Sequence, residues 1–425
     1  MAESSILALH GYAQAVPDTV RAVLVSLGVE EAMLVTAWEV SMVLGLDPRG
    51  QAKAFALLTS VLAAQGQGHT RMAWPPKSGS PGDALLRAFN LEAAVLTEWL
   101  GTEAGARLVG GPEDVRPLVQ VGPWLTTHRL HAQERQLVVD LAALLQAEVP
   151  ERTPVGDEVF SDPVELSEEQ RQAVHLALSS PVALISGGPG TGKTSIVVAI
   201  LRALLRQEGL SLDDIALAAP TGKAAQRMGE AIRRNLRALR APGEADEPLL
   251  RADLEPCTLH RLLAWNPVEE AFRHGPEWRL AARVVVVDEA SMISLEHLHR
   301  LLAALAQGNR LVLLGDADQL PSVDPGSAFR ELVEGLEGQV AHLRQSFRMR
   351  PSDPEGRAIL SAARCIREGN PEGLWEGAEA VTVRSSVETL EGRRVELIEP
   401  EPGRTEAVLL DWFRREVSDA PGFLS

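Results

Sequence analysis

Apolar residues in this chain follow two different periods, and the change between them marks its organisation. Up to about residue 110 they recur at helical spacing. Val20, Val23, Leu24 and Leu27 share one face, a dense apolar run covers 32–44, and further helical runs cover 54–64 and 83–99. Gly- and Pro-rich pieces such as 74–82 punctuate them. These features predict a small helical domain over 1–110. A further amphipathic helix is expected over 130–147. The stretch 148–163, rich in Pro, Glu, Asp and Val, reads as a linker, so helix and linker fill 111–165. From 166 the pattern changes. Short apolar, β-branched runs near 182, 215, 283, 310 and 339 alternate with helices, which predicts an α/β fold with one parallel-sheet nucleotide-binding lobe over 166–345. Residues 265–278 interrupt that alternation with an aromatic-flanked, turn-rich segment, and a short β-hairpin is expected within 262–282. Mixed helix-like and strand-like pieces follow from 346.

The run over 181–186 is a strand buried on both faces, and Gly187, Gly188, Pro189, Gly190, Thr191, Gly192, Lys193 and Thr194 follow at once. Backbone N–H groups that must turn inward on phosphate oxygens need φ/ψ values that a Cβ opposes, and glycine supplies them. After Thr194, Ile196, Ile200 and Leu204 open a helix whose N-terminal dipole favours an anion. Lys193 then reaches the β- and γ-phosphates of ATP, the Thr194 hydroxyl ligates Mg2+, and Ser195 closes the phosphate-binding run.

Asp288 and Glu289 end the valine run that starts after Arg283, at the strand edge where open α/β sheets bind ligands. Asp288 suits the carboxylate that orients hydrated magnesium, and Glu289 suits the base that polarises the attacking water. Gln319, in the polar loop after 310–314, is placed to sense the γ-phosphate through a neutral amide. Arg348 follows the last strand, and its fork suits developing phosphate charge. Gln170, three residues after Ser167, either caps its own helix or reads the adenine edge.

The bulk composition narrows the remaining choices. Net charge is −17, which counts against a generic polybasic nucleic-acid binder but leaves room for a groove with local cations. Hydrophobic residues make up 45% of the chain, enough for a large core. The two cysteines, Cys257 and Cys365, stand apart from any ligand cluster, which implies neither disulfides nor zinc and fits a reducing cytoplasm. No uncharged run approaches the ~20 residues of a membrane span.

Six motifs in this order resemble superfamily 1 helicases, specifically the RecD family, the alpha subunits of bacterial exodeoxyribonuclease V. They lie at 185–194, 217–225, 258–263, 286–293, 314–320 and 346–348. The resemblance implies a RecA-like P-loop NTPase lobe after a small helical, partner-docking domain, with an incomplete second motor lobe over 346–425. It implies a 5′→3′ ATP-driven motor in double-strand-break repair and recombination, with RecB- and RecC-like partner subunits. It places Pro220, Thr221, Lys223, Thr258 and His260 on or near a path for single-stranded or duplex-end DNA. It also sets Phe347 near adenine and Arg348 on the γ-phosphate. The expected hairpin would act as a pin at a duplex junction. Deleting 266–277 should abolish strand separation while sparing ATP hydrolysis, and intact separation would remove the pin.

One departure stands out: the family's later second-lobe motifs do not occur within these 425 residues. The sequence therefore reads as truncated or as half of a split protein, with weak or no unwinding expected in isolation. The alternative reading is a nucleotide-dependent scaffold without motor activity. A third, the helicase domain of a conjugative relaxase, lacks its tyrosine cluster, since Tyr12 stands alone.

Overall fold

The structure is a computed structural model that describes residues 16–29, 31–147, 156–206, 210–252, 254–319, 326, 328–347, 353–376, 380–384, 395–398 and 405–413. Two compact units divide the chain: Met1–Ser186 with Thr194–His342, and Gly187–Lys193 with Leu343–Ser425.

The first unit opens with helices Asp18–Ser26, Glu31–Val43, Pro48–Gly66, Pro81–Ala88 and Ala93–Leu100. Leu24, Leu34, Phe55, Leu57, Leu85 and Leu96 share their core. The single helix expected over 83–99 is two. Asn90 adopts φ 55, a left-handed turn that a short polar side chain tolerates, so one helix ends at Ala88 and the next begins at Ala93. The helical reading of 1–110 also omits a small sheet of β1 (Met72–Ala73), β2 (Val109–Gly110), β3 (Leu118–Val121) and β4 (Trp124–Thr127), in spatial order β1-β4-β3-β2. Strands this short leave no readable alternation.

Thr127 ends β4, and its hydroxyl accepts from Leu130 N–H at 3.5 Å to cap the helix His128–Leu145. Leu137, Leu141 and Leu144 of that helix join the nucleotide-lobe core. The helix packs on Leu295–Ala304, where Arg129 pairs with Glu296 at 2.5 Å. The linker reading of 148–163 needs correction from 156 onward, while 148–155 lie outside the described residues. Val159 and Phe160 are buried within the helical turn Glu158–Ser161. Their apolar surface gives this segment a reason to pack.

Six strands form the lobe sheet: β5 (Val182–Gly187), β6 (Ile215–Ala219), β7 (Cys257–Thr258), β10 (Val284–Val287), β11 (Arg310–Gly315) and β12 (Val340–Leu343), in spatial order β12-β5-β11-β10-β6-β7. Pairing from β5 through to β7 is parallel, with Val287 opposite Leu313 and Ala218, and Gly315 opposite Ser186. The five expected runs are all present, and the two-residue β7 is the addition. The valines of β10 are wholly buried, as an interior parallel strand requires. The hairpin is there too: β8 (Trp265–Asn266) pairs antiparallel with β9 (Ala271–Phe272). Asn266 Oδ1 accepts from Val268 and Glu269 N–H to shape its tip.

Behind the phosphate-loop helix, Arg202 and Asp246 are both fully buried and paired at 3.0 Å. Arg206 adds a second guanidinium on Asp246 at 2.8 Å. Arg202 also donates to the Glu158 and Asp162 carbonyls, which fastens the 158–162 turn to this helix.

The second unit holds the phosphate loop, the segment 343–347, the helix Pro354–Arg367, the parallel pair β13 (Thr382–Arg384) and β14 (Glu396–Ile398), and the helix Thr405–Phe413. Arg384 meets Glu396 across that pair at 2.6 Å. Among the described residues, no helix is long and apolar enough to cross a membrane.

Candidate functional site

Strands β5, β11 and β10 lie side by side and parallel, so their C-terminal ends reach one edge of the sheet. Three chemically distinct segments leave that edge. After Ser186 comes the phosphate loop, after Val287 the Asp288–Glu289 step, and after Gly315 the loop carrying Gln319. The topology thus assembles at one edge what the sequence spreads over more than a hundred residues.

Within the loop, Gly190 and Gly192 adopt φ 80 and φ 81, values open to glycine and strained for other residues. Thr191 is buried, and its hydroxyl donates to the Gly188 carbonyl at 2.9 Å. Lys193 Nζ donates to the Gly187 carbonyl at 2.6 Å and to Gly188 at 3.4 Å. The ammonium therefore lies across the mouth of its own loop, tethered by carbonyls that phosphate oxygens can replace. The helix Lys193–Leu205 begins there, and Thr194 and Ser195 occupy its first turn. Leu343 to Phe347 lies along the same loop: Phe347 N–H donates to the Gly190 carbonyl at 2.8 Å, and Ser346 Oγ donates to Pro189 at 3.3 Å. The Phe347 ring is exposed.

At the carboxylate step, Glu289 has φ 55 and ψ 39, a left-handed conformation costing a non-glycine residue roughly 1–2 kcal/mol. Asp288 Oδ1 accepts the Glu289 N–H at 2.9 Å and holds the turn. In a continuing strand these neighbours would point to opposite faces. The left-handed turn breaks that alternation, a use of strain that sequence periodicity does not reveal. Gly315 permits close approach beside it, since a Cβ there would stand 2.9 Å from Ser291 N. Gln319 Oε1 accepts from Ser291 Oγ at 3.4 Å, which ties the sensor loop to the turn after the carboxylates. Ser291 went unnoticed in the sequence because a serine in a turn carries no signal of its own.

Gln170 is buried, and its Oε1 accepts from Ser167 N–H at 2.9 Å while Ser167 Oγ caps Gln170 N–H. The capping box is therefore present and occupies the amide oxygen. Arg348 lies outside the described residues.

The DNA candidates gather on β6 and β7. Ala219 pairs with Thr258, and Pro220 follows β6 directly. The Thr221 and Thr258 hydroxyls each accept from a backbone N–H at 3.2 Å and cap adjacent helices. Lys223 and His260 are exposed. His260 belongs to an aromatic group at the hairpin base: its ring centroid lies 6.0 Å from Trp265, 5.6 Å from Phe272 and 4.6 Å from His297. His260 Nε2 meets His297 Nε2 at 3.3 Å, and His297 Nδ1 meets Ser294 Oγ at 2.8 Å. His297 could not be linked to His260 beforehand, because they are 37 residues apart and share no motif.

The side chains suit ATP with magnesium: a positive ammonium, a helix N-terminus and hydroxyl for phosphate, and hard oxygen donors in Thr194 and Asp288 for the ion. Fold and loop together define a P-loop NTPase lobe. Sequence comparison agrees, since residues 170–325 match the family model described as an AAA domain. RecD, a RecBCD enzyme subunit of Mycobacterium tuberculosis, is 38% identical over 286 residues, covering 65% of this chain and 47% of that protein. The ATP-dependent RecD2 DNA helicase of Deinococcus radiodurans is 33% identical over 204 residues, covering 48% of this chain and 24% of that protein. A crystal structure of Bacteroides Pif1 with ADP-AlF4 aligns at TM-score 0.30 and 20% identity, covering 49% of this chain and 48% of that one. The matched region is RecD-type sequence of the superfamily 1 helicases. The chain spans about half the length of the Mycobacterium relative, at 47%.

Proposed function

We propose that this chain binds Mg-ATP at 187–194 and hydrolyses it to drive 5′→3′ movement on single-stranded DNA. It would act as the RecD-like subunit of a RecBCD-type exonuclease in double-strand-break repair and recombination. The observation that carries the reading is the shared sheet edge, from which both the Lys193-bearing loop and the Asp288–Glu289 step emerge.

In this reading Lys193 exchanges its two loop carbonyls for β- and γ-phosphate oxygens, so the resting tether keeps the ammonium close to its task. Magnesium held by Thr194 and Asp288 supplies charge neutralisation for the phosphates. Glu289 accepts a proton from the attacking water, and Gln319 and Arg348 sense the γ-phosphate. Phe347, latched by its backbone to Gly190, offers an exposed ring to the adenine, and the Gln170 amide offers its nitrogen edge. Pro220, Thr221, Lys223, Thr258 and His260 line the DNA path. The helical segment 1–110 docks RecB- and RecC-like partners, and 346–425 contributes to a second motor lobe.

Phosphate release, measured with and without oligonucleotide, tests this. Lys193→Ala should lower the DNA-stimulated rate by about 10²–10³-fold, the usual cost of one lost charge-stabilising donor. ATP binding without any DNA-stimulated release by the unaltered chain would favour the scaffold reading instead.

A further inference from the structure

In a chain of net charge −17, residues 222–240 hold six cations against one carboxylate. The cations are not scattered. Lys223, Arg227, Arg234 and Arg237 recur at steps of four, seven and three along the helix Gly222–Arg237, which sets them on one exposed face. Among the described residues none of these four forms an ion pair. Glu230, the one carboxylate on that face, accepts from Gln226 Nε2 at 2.8 Å. The opposite face buries Ala225, Met228, Ile232 and Leu236, so packing fixes the direction of the stripe. At ~1.5 Å per residue it extends about 21 Å.

We propose that this helix is a phosphate track for the second DNA strand of a fork, distinct from the strand proposed at 220–223 and 258–260. Charge complementarity names the occupant: a row of unpaired cations, mostly arginine, on an acidic protein fits a polyphosphate backbone. Direction separates the two strands. The residues proposed for the first strand lie across the sheet edge, from β6 to its neighbour β7. The stripe starts at that edge and runs back along the helix axis. A strand crossing the edge would have to turn sharply to follow it, whereas a strand parted at the neighbouring hairpin would not. The proposal rests on the DNA-motor reading.

The test uses the full chain and two labelled probes, a single-stranded oligonucleotide and a fork carrying both tails, titrated across a salt series. The triple variant Arg227→Gln/Arg234→Gln/Arg237→Gln should bind the fork about tenfold more weakly. Its salt slope should fall by roughly 2, or ~0.7 for each lost single-strand contact, with single-strand affinity held within about twofold. The Arg→Lys triple should keep the slope, and a circular dichroism melt checks that both variants fold. An unchanged fork isotherm overturns the track, as does an equal loss on both probes. Unchanged DNA binding with lost capture of poly-glutamate would assign the stripe to an acidic polypeptide and also overturns it. Failure of the unaltered chain to bind either probe would overturn the DNA-motor reading itself.

Discussion

Glu289→Gln should reduce ATP hydrolysis by about 10²–10⁴-fold, the range for losing a positioned general base, while nucleotide binding stays within a fewfold of the unaltered chain. The substitution keeps size, shape and the left-handed backbone, and it removes the capacity to take a proton from water. Asp288 Oδ1 would still cap the residue 289 N–H, so the turn should survive. Asp288→Asn should act differently, weakening magnesium dependence as well as rate, because it touches a proposed ion ligand. Single-turnover phosphate release with a fluorescent nucleotide titration separates the two. A Glu289→Gln protein that hydrolyses at the original rate would remove Glu289 from the chemistry. The left-handed turn would then need another explanation, since roughly 1–2 kcal/mol of backbone strain at φ 55 would serve no site.

That turn also shows where sequence reasoning reaches its limit. The valine run, the glycine loop and the apolar helix after Thr194 each impose their own conformation, so the strands and the loop could be named in advance. Position along the chain also forecasts which residues end each strand, and so Asp288 and Gln319 were legible. What periodicity does not carry is a contact fixed by tertiary approach. Ser291 on Gln319 and His297 on His260 join residues 28 and 37 positions apart in the chain. The β1–β4 sheet escaped for another reason: strands of two to four residues are too short to show a period of two. Asn90 cut one apolar run into two helices because a single left-handed residue redirects the chain without altering its hydrophobic pattern.

Asp246→Ala should destabilise the nucleotide lobe by about 3–5 kcal/mol, the cost of stripping one partner from a buried ion pair. Two guanidiniums converge on this carboxylate, with Arg202 fully buried beside it. Once Asp246 is gone, Arg202 keeps only the Glu158 and Asp162 carbonyls, neither of which balances its charge. The turn that brings Val159 and Phe160 into the core should then loosen with it. Burial by itself would raise the Asp246 pKa. Hydrogen bonds from Arg206, Arg202 and the Gly243 N–H outweigh it and hold the carboxyl well below the ordinary carboxylate range. A folded pKa below the unfolded one means this stability is fully present above the unfolded value of 3.8 and is lost as pH falls below it. Denaturant melts at neutral pH and along an acid series should therefore show a large gap between Asp246→Ala and the unaltered protein that narrows only in acid. Replacing the whole group, as in Arg202→Met/Asp246→Leu, should recover much of the loss, because the penalty lies in the uncompensated charge rather than in the missing attraction. If the double replacement proved as unstable as Asp246→Ala, the bonds from Arg202 to the 158–162 carbonyls would have to be the dominant contribution.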